Sequence, residues 1–337
     1  MAKKLLLLFF LLIVIAPFAF SLLLNRATDI DVIISWGPQT QYAGTLVAKQ
    51  EGMFRTQGLR VSLDYTSSNR RVMELVSKGR KQIGVLWGHL FLIHYNKNTS
   101  NSVVVAQIMP ESSLMIIARK SKGIKKLTDL NNKKISVVET GSGGFLKLAK
   151  VFLDEYNIKP SKFILQSHGI NPILFGASDA MLIPDVGTLY SFFASGVDTS
   201  DFVRFYLRDY GFDIPDNVII VNKDFLKKYP KNVEKYLTAL KAGWDFTTRP
   251  DNYSRTSAII QKYSELIETN STHEQNLWIL DNISKTLYSK NKQIMSDFID
   301  KKQFDSLEDI YFRNQLISKK RNYDSIFHKE FVEKIIK

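Results

Sequence analysis

Residues able to hold a small polar molecule without bond-making chemistry are concentrated in three short stretches. The first is Trp36-Gly37-Pro38-Gln39-Thr40-Gln41-Tyr42, which feeds Ala43-Gly44-Thr45-Leu46-Val47-Ala48. Trp36 and Tyr42 offer flat apolar faces, while Gln39, Thr40 and Gln41 donate and accept hydrogen bonds without bringing charge. That set suits a small, planar, polar solute; the alternative is that Trp36 and Tyr42 plug the core between a strand and a helix. The second stretch, Glu139-Thr140-Gly141-Ser142-Gly143-Gly144, precedes Phe145, Leu148, Ala149, Phe152, Leu153 and Tyr156 at helical spacing. Gly141, Ser142, Gly143 and Gly144 read as a nest of backbone N–H groups at a helix N-terminus, open to an acceptor or anion, or as glycines needed only for a tight turn. The third is Gly84-Val85-Leu86-Trp87-Gly88-His89. There Trp87 is a second stacking surface to set against Trp36, and His89 is either a contact to the solute or a structural histidine. Asp185 follows another apolar run and is expected in a loop of the same cleft.

Catalysis has few candidates. Cys is 0, which removes thiol nucleophiles, Cys-ligated zinc, iron–sulfur clusters and disulfides. His94, His168, His273 and His328 show no metal-ligand spacing. The glycine run does not fit G-x-x-x-x-G-K-[ST], and no Ser-His-Asp order or paired-carboxylate spacing stands out. No enzyme activity, cofactor or metal is expected.

The elements that must position these groups alternate short β-rich runs with helical stretches, the signature of βα units. Strands are predicted at Asp31–Ser35, Arg60–Tyr65, Gln82–Trp87 and Val103–Ile108, then at Leu114–Arg119, Lys134–Glu139, Lys162–Gln166, Asp179–Pro184 and Phe202–Leu207, with Val218–Val221 last. Two sheets of similar build are implied, and 337 residues suffice for two domains. From about Asp224 the chain turns helical, with Val233, Tyr236, Leu237, Leu240 and Trp244 on one stripe and Pro230 in the first turn. The composition, 45% hydrophobic and 23% charged, is that of a core-forming chain. Its net charge of +13 is spread over helix surfaces, without the aromatic-interleaved stripe that nucleic acid would need. No cation falls in the loops Trp36–Gly44, Trp87–His89 or Gly141–Phe145, so the solute is expected to be near neutral and its affinity insensitive to salt.

Ahead of all this, Lys3-Lys4 precede an apolar run from Leu5 to Leu24, with Ala19-Phe20-Ser21 as a small-x-small cleavage pattern. Cleavage after Ser21 would release an exported protein; an uncleaved run of this length would anchor it to the outer face of the cytoplasmic membrane.

The run Trp36 to Ala48 with Gly52, Gly58 and Val61 resembles the periplasmic solute-binding proteins for thiamine pyrimidine precursors, nitrate, sulfonate and taurine, and the related modules of bacterial sensor proteins. Leu127-x-Asp129-Leu130-x-x-Lys133-Lys134, Asp209-Tyr210-Gly211 and Leu240-x-x-Gly243-Trp244 are similar to that family in order and spacing, over roughly Ile30 to Asp251. The chain departs from it at Gly187-Thr188-Leu189, where relatives carry an Asn-Glu-Pro-like group. The resemblance implies a two-lobed α/β protein of the type II periplasmic binding fold, each lobe a mixed sheet flanked by helices, joined by two crossover strands. It places a signal or anchor at 1–24, lobe one at 25–110 and 211–337, and lobe two at 111–210. It further implies a monomer that delivers a small solute to an ABC permease and its ATPase, or alternatively an extracytoplasmic sensing module. Eukaryotic relatives that make the thiamine pyrimidine look to need a cysteine-rich iron motif and a lysine-held pyridoxal phosphate, and this chain has no cysteine.

Overall fold

The computed structural model describes residues 27–336 except 97, 110, 139–143, 168, 184–185, 214–215, 268–270, 290–291, 293 and 296–297; the apolar N-terminal run lies outside the described residues. Ten strands form: β1 (Thr28–Ser35), β2 (Leu59–Thr66), β3 (Ile83–Leu86), β4 (Ser102–Gln107), β5 (Met115–Arg119), β6 (Lys134–Val138), β7 (Lys162–Gln166), β8 (Ala180–Ile183), β9 (Phe202–Tyr206) and β10 (Val218–Asn222). Each overlaps a predicted run. The interior strands are β-branched and buried along their length, as in β4 and β10, because helices cover both faces.

The strands make two five-stranded sheets, in the orders β2-β1-β3-β10-β4 and β7-β6-β8-β5-β9. The plan is the same in both. Two parallel pairs, β1 with β2 and β3, and β6 with β7 and β8, form one side of each sheet. The antiparallel member, β10 in the first and β5 in the second, is the strand that has just arrived from the other lobe. The chain thus crosses between lobes twice, through 108–114 and 207–217, and the crossings are bonded to each other. Ile108 N donates to the Asn217 carbonyl at 2.9 Å, Leu207 N to the Leu114 carbonyl at 3.0 Å, and Ser112 N to Asp213 Oδ1 at 2.9 Å.

Two further contacts join the lobes. The helix Gly88–His94 of lobe one meets Gly144–Glu155 of lobe two so closely that a Cβ on Gly144 would sit 2.2 Å from Leu90 Cδ2. Val186–Ala194 of lobe two meets His273–Ser289, where Trp278 packs against Tyr190 at 5.7 Å and Phe193 at 6.1 Å between ring centroids. The C-terminal segment adds a strap. Val104 N donates to the Ile326 carbonyl and His328 N to the Val104 carbonyl, both at 2.8 Å, extending the first sheet beyond β4. Arg321 pairs with buried Glu308 and donates to the Leu92 carbonyl, while Arg313 at the end of the Lys301–Arg313 helix pairs with Glu155 of lobe two. No helix among the described residues is long and apolar enough to cross a membrane.

The helices Ala43–Gln50 and Pro230–Thr247 cross at glycine against glycine, with the expected stripe Val233, Tyr236, Leu237, Leu240 and Trp244 buried. A Cβ on Gly243 would lie 2.1 Å from the Gly44 carbonyl oxygen, which is backbone and cannot step aside. Gly243→Ala should therefore destabilise the fold by about 1–3 kcal/mol through overpacking. Urea unfolding reads this directly, and an unchanged midpoint would show that the crossing relaxes freely.

Candidate functional site

The carboxyl ends of β1 and β3 and the two crossings face lobe two across a cavity of about 510 Å³, the size of a small-molecule site. Lobe one contributes Trp36, Gln39, Thr40, Gln41 and Trp87; lobe two contributes Phe145, Thr188, Leu189, Ser191, Arg204 and Tyr206. Glu111, Ser112, Ser113, Arg208, Asp216 and Asn217 come from the crossings, and Gln275, Asn276, Ile279, Asn282 and Thr286 from one face of the 273–289 helix.

β1 ends where Trp36 takes φ 68°, in the left-handed region that a bulky side chain seldom enters. Its N–H is held by the Thr66 carbonyl at 2.6 Å, so the sheet fixes the strained residue and turns the 37–42 loop over the cavity. Thr40 is committed to the frame: its hydroxyl donates to Asn276 Oδ1 at 2.8 Å, tying the loop to the 273–289 helix. Gln39 is exposed and Gln41 half-buried, both on the wall. Tyr42 is not there. It is fully buried, its hydroxyl 3.0 Å from Ser35 Oγ, and it belongs to lobe one's core, the alternative reading of that residue.

Trp87 and Trp36 line the same cavity, but the ring against Trp87 is Phe145 of lobe two, at 6.0 Å and 75°. His89 is 1% exposed and does not line the cavity; it lies 4.8 Å from Phe145 and 5.8 Å from Trp87, sealing the lobe contact. Gly144 opens the 144–155 helix as expected, yet its lack of a side chain serves the approach of Leu90. Gly141, Ser142, Gly143 and Asp185 lie outside the described residues. No group of His, Cys, Asp and Glu among the described residues is arranged to hold a metal ion.

Three polar atoms on this wall are buried and have no partner among the described residues: the indole nitrogens of Trp36 and Trp87, and Asn217 Oδ1. An unpaired buried polar atom costs about 1–3 kcal/mol, and these three belong to residues that line the cavity while the atoms themselves have almost no exposure. The expectation of a cation-free cleft is corrected. Arg204 and Arg208 both line it, because β9 and the second crossing reach the wall and not only the three glycine- and aromatic-rich loops. Arg208 lies over the Tyr206 ring at 4.2 Å, 3.5 Å from Glu111, and donates to the Ser112 carbonyl. Asp216, 3% exposed, accepts from Ser113 N at 2.7 Å and Ser113 Oγ at 2.6 Å.

The wall residues of the 273–289 helix were not found by motif, and their signal was periodicity. Gln275, Ile279, Asn282 and Thr286 follow helical spacing, giving an inward stripe with amides and a hydroxyl where a plain core helix would carry aliphatics.

Two sheets of one plan, linked by paired crossings with a cavity between them, define a two-lobed fold of the periplasmic binding protein type. The chain belongs to the NMT1/THI5-like family, whose model matches residues 39–252. It is 24% identical over 247 residues to the Saccharomyces cerevisiae 4-amino-5-hydroxymethyl-2-methylpyrimidine phosphate synthase THI11, covering 65% of this chain and 67% of that protein. The Escherichia coli periplasmic aliphatic sulphonate binding protein SsuA shares the fold with a TM-score of 0.65 at 13% identity, over 89% of this chain and 92% of that one. The Synechocystis PCC 6803 nitrate-binding protein NrtA does so with 0.61 at 13%, over 92% and 88%.

The lobe contact is also where pH acts. Burial, with His94 nearby, lowers the His89 pKa to about 3; burial, with Lys147 and Arg70, lowers that of His94 to about 4. Both rings are neutral in the folded chain, whereas in the unfolded chain they take up protons below about pH 6.5. Their contribution is therefore full above that value and is lost as pH falls toward 4. Unfolding free energy should drop more steeply between pH 7.5 and 5 in the wild type than in His89→Leu; parallel curves would contradict the assignment.

Proposed function

We propose that this chain is the exported solute-binding component of an ABC importer, taking a small planar polar solute, like a thiamine pyrimidine precursor, into the interlobe cavity and presenting it to a permease and its ATPase. The observation that carries this is the interlobe cavity of about 510 Å³, whose lining combines the Trp36 and Tyr206 rings with the neutral polar side chains of Gln41, Ser113, Gln275 and Asn282. A heteroaromatic ring with ring-nitrogen acceptors and an exocyclic amino donor suits such amide and hydroxyl partners, and the half-buried Trp36 ring suits its flatness. The family match, with its pyrimidine-synthase relatives, supports the solute class, and the fold shared with sulphonate- and nitrate-binding proteins supports transport. The apolar N-terminal run supports a site of action in the periplasm or on the outer face of the cytoplasmic membrane. Binding without catalysis fits a chain that has no cysteine for the iron motif that the synthases look to need. A monomer suffices for this role, because residues of a single chain line the cavity.

A thermal-shift screen against pyrimidines, flavins, sulphonates, nitrate and amino acids tests the reading, because a solute at 100 times its Kd stabilises the folded chain by about 2.7 kcal/mol. Pyrimidines should give the largest shift. Trp36→Ala should fold and lose on the order of 1–3 kcal/mol of pyrimidine binding through lost stacking and burial. A variant that unfolds, or one that binds undiminished, would assign Trp36 to the core.

A further inference from the structure

Among the described residues four charged side chains reach the cavity wall, and three of them are occupied. Arg208 is held by Glu111, the Ser112 carbonyl and the Tyr206 ring, and Asp216 is held by Ser113. Arg204 differs: it is exposed, and no carboxylate lies within ion-pair distance of it among the described residues. Its position follows from the strand. Alternation puts Phe202, Arg204 and Tyr206 on one face of β9, and Tyr206 is on the wall. Phe202 lies beneath Arg119 at 5.2 Å, so the strand leaves Arg204 and Tyr206 as the pair turned to the cavity. Arg204 also borders an adjoining pocket with Leu189, Asp198, Thr199, Trp278 and Asn282. Asp198, the one carboxylate lining it among the described residues, is engaged by Ser200 through N at 2.8 Å and Oγ at 2.7 Å, and those bonds hold its pKa below the ordinary carboxylate value.

We infer that the solute carries one oxyanionic substituent, a carboxylate, sulphonate or phosphate monoester, and that Arg204 is the residue that reads it. This rests on the cavity being the solute site. A guanidinium in the wall of a partly enclosed cavity offers a planar fork of donors suited to two oxygens of one anion. Arg204 stands two residues, about 6.6 Å, farther along β9 from the crossings than Tyr206. A solute with its ring among Trp36, Trp87 and the crossing residues can therefore direct a substituent to Arg204, beside the Ser191 hydroxyl and the Asn282 amide. Asn282 comes from lobe one and Arg204 from lobe two, so an anion held by both would tie the lobes together at the rim.

The test is titration calorimetry on the purified chain and on Arg204→Gln, using three probes: 4-amino-5-hydroxymethyl-2-methylpyrimidine, its phosphate monoester and benzenesulphonate. The wild type should bind the ester more tightly than the alcohol by about tenfold or more, the scale of a hydrogen bond to a charged group. Arg204→Gln should collapse that ratio, and the ester affinity of the wild type should fall as NaCl rises from roughly 50 to 500 mM. An alcohol that binds as tightly as its ester, or a substitution that weakens both alike, would overturn the role of Arg204 while leaving the pyrimidine reading intact. If neither pyrimidine binds, the pyrimidine reading fails and benzenesulphonate decides the charge: a loss of about tenfold in Arg204→Gln supports the inference, and an unchanged affinity overturns it.

Discussion

The pairing of the two crossings is the constraint on which the rest of the structure depends. Ser112 and Ser113 give their backbone N–H groups to the carboxylates of Asp213 and Asp216, and Ile108 bonds to Asn217, so both passages between lobes travel as one ribbon. The ribbon delivers β5 and β10 antiparallel between the parallel strands and the edge strand of each sheet. That insertion fixes the strand order of each lobe and turns the carboxyl ends of β1, β3, β6 and β8 toward the other lobe. In α/β sheets the loops beyond those ends are where ligands sit. The cavity is a consequence of the connection as much as of the loops that line it. Asp216 shows the economy of the arrangement, since one carboxylate locks the ribbon and also forms part of the wall.

The same reasoning separates frame from site. Thr40, Asn276, Tyr42 and His89 are polar residues near the cavity, but each is buried in a contact that holds an element in place. Trp36, Trp87 and Asn217 are the reverse case. Their indole nitrogens and amide oxygen are buried without a partner among the described residues, and Trp36 and Asn217 are held at positive φ. A bulky residue held in the left-handed region, as Trp36 is, is the kind of strain that clusters at ligand sites.

Much of the fold was legible because its strands are short, β-branched and bounded by turns, and because the second series repeats the first. The glycines of the 43–50 and 230–247 helices, read only as family spacing, proved to be the points where those helices touch. The site was legible in part. Trp36, Gln39, Thr40, Gln41 and Trp87 follow strands directly, so strand-end reasoning reaches them. Tyr42 is one residue from the wall and faces the other way, and sequence spacing in an irregular loop does not reveal which way a ring turns. Arg204 and Arg208 were hidden for a different reason: cations on strands and loops of a chain with charge +13 read as solvated surface. Only the sheet order, with β9 at the edge beside β5, carries that segment to the cavity.

The central claim is that one solute is gripped by both lobes at once. Hydrogen–deuterium exchange with and without the phosphate monoester of 4-amino-5-hydroxymethyl-2-methylpyrimidine measures this most directly. The account predicts simultaneous slowing of exchange in the loop after β1, in the crossing residues Ser112 and Ser113, in β9, and in the first turns of the 273–289 helix. Protection confined to one lobe, or confined to surfaces away from these segments, would contradict it.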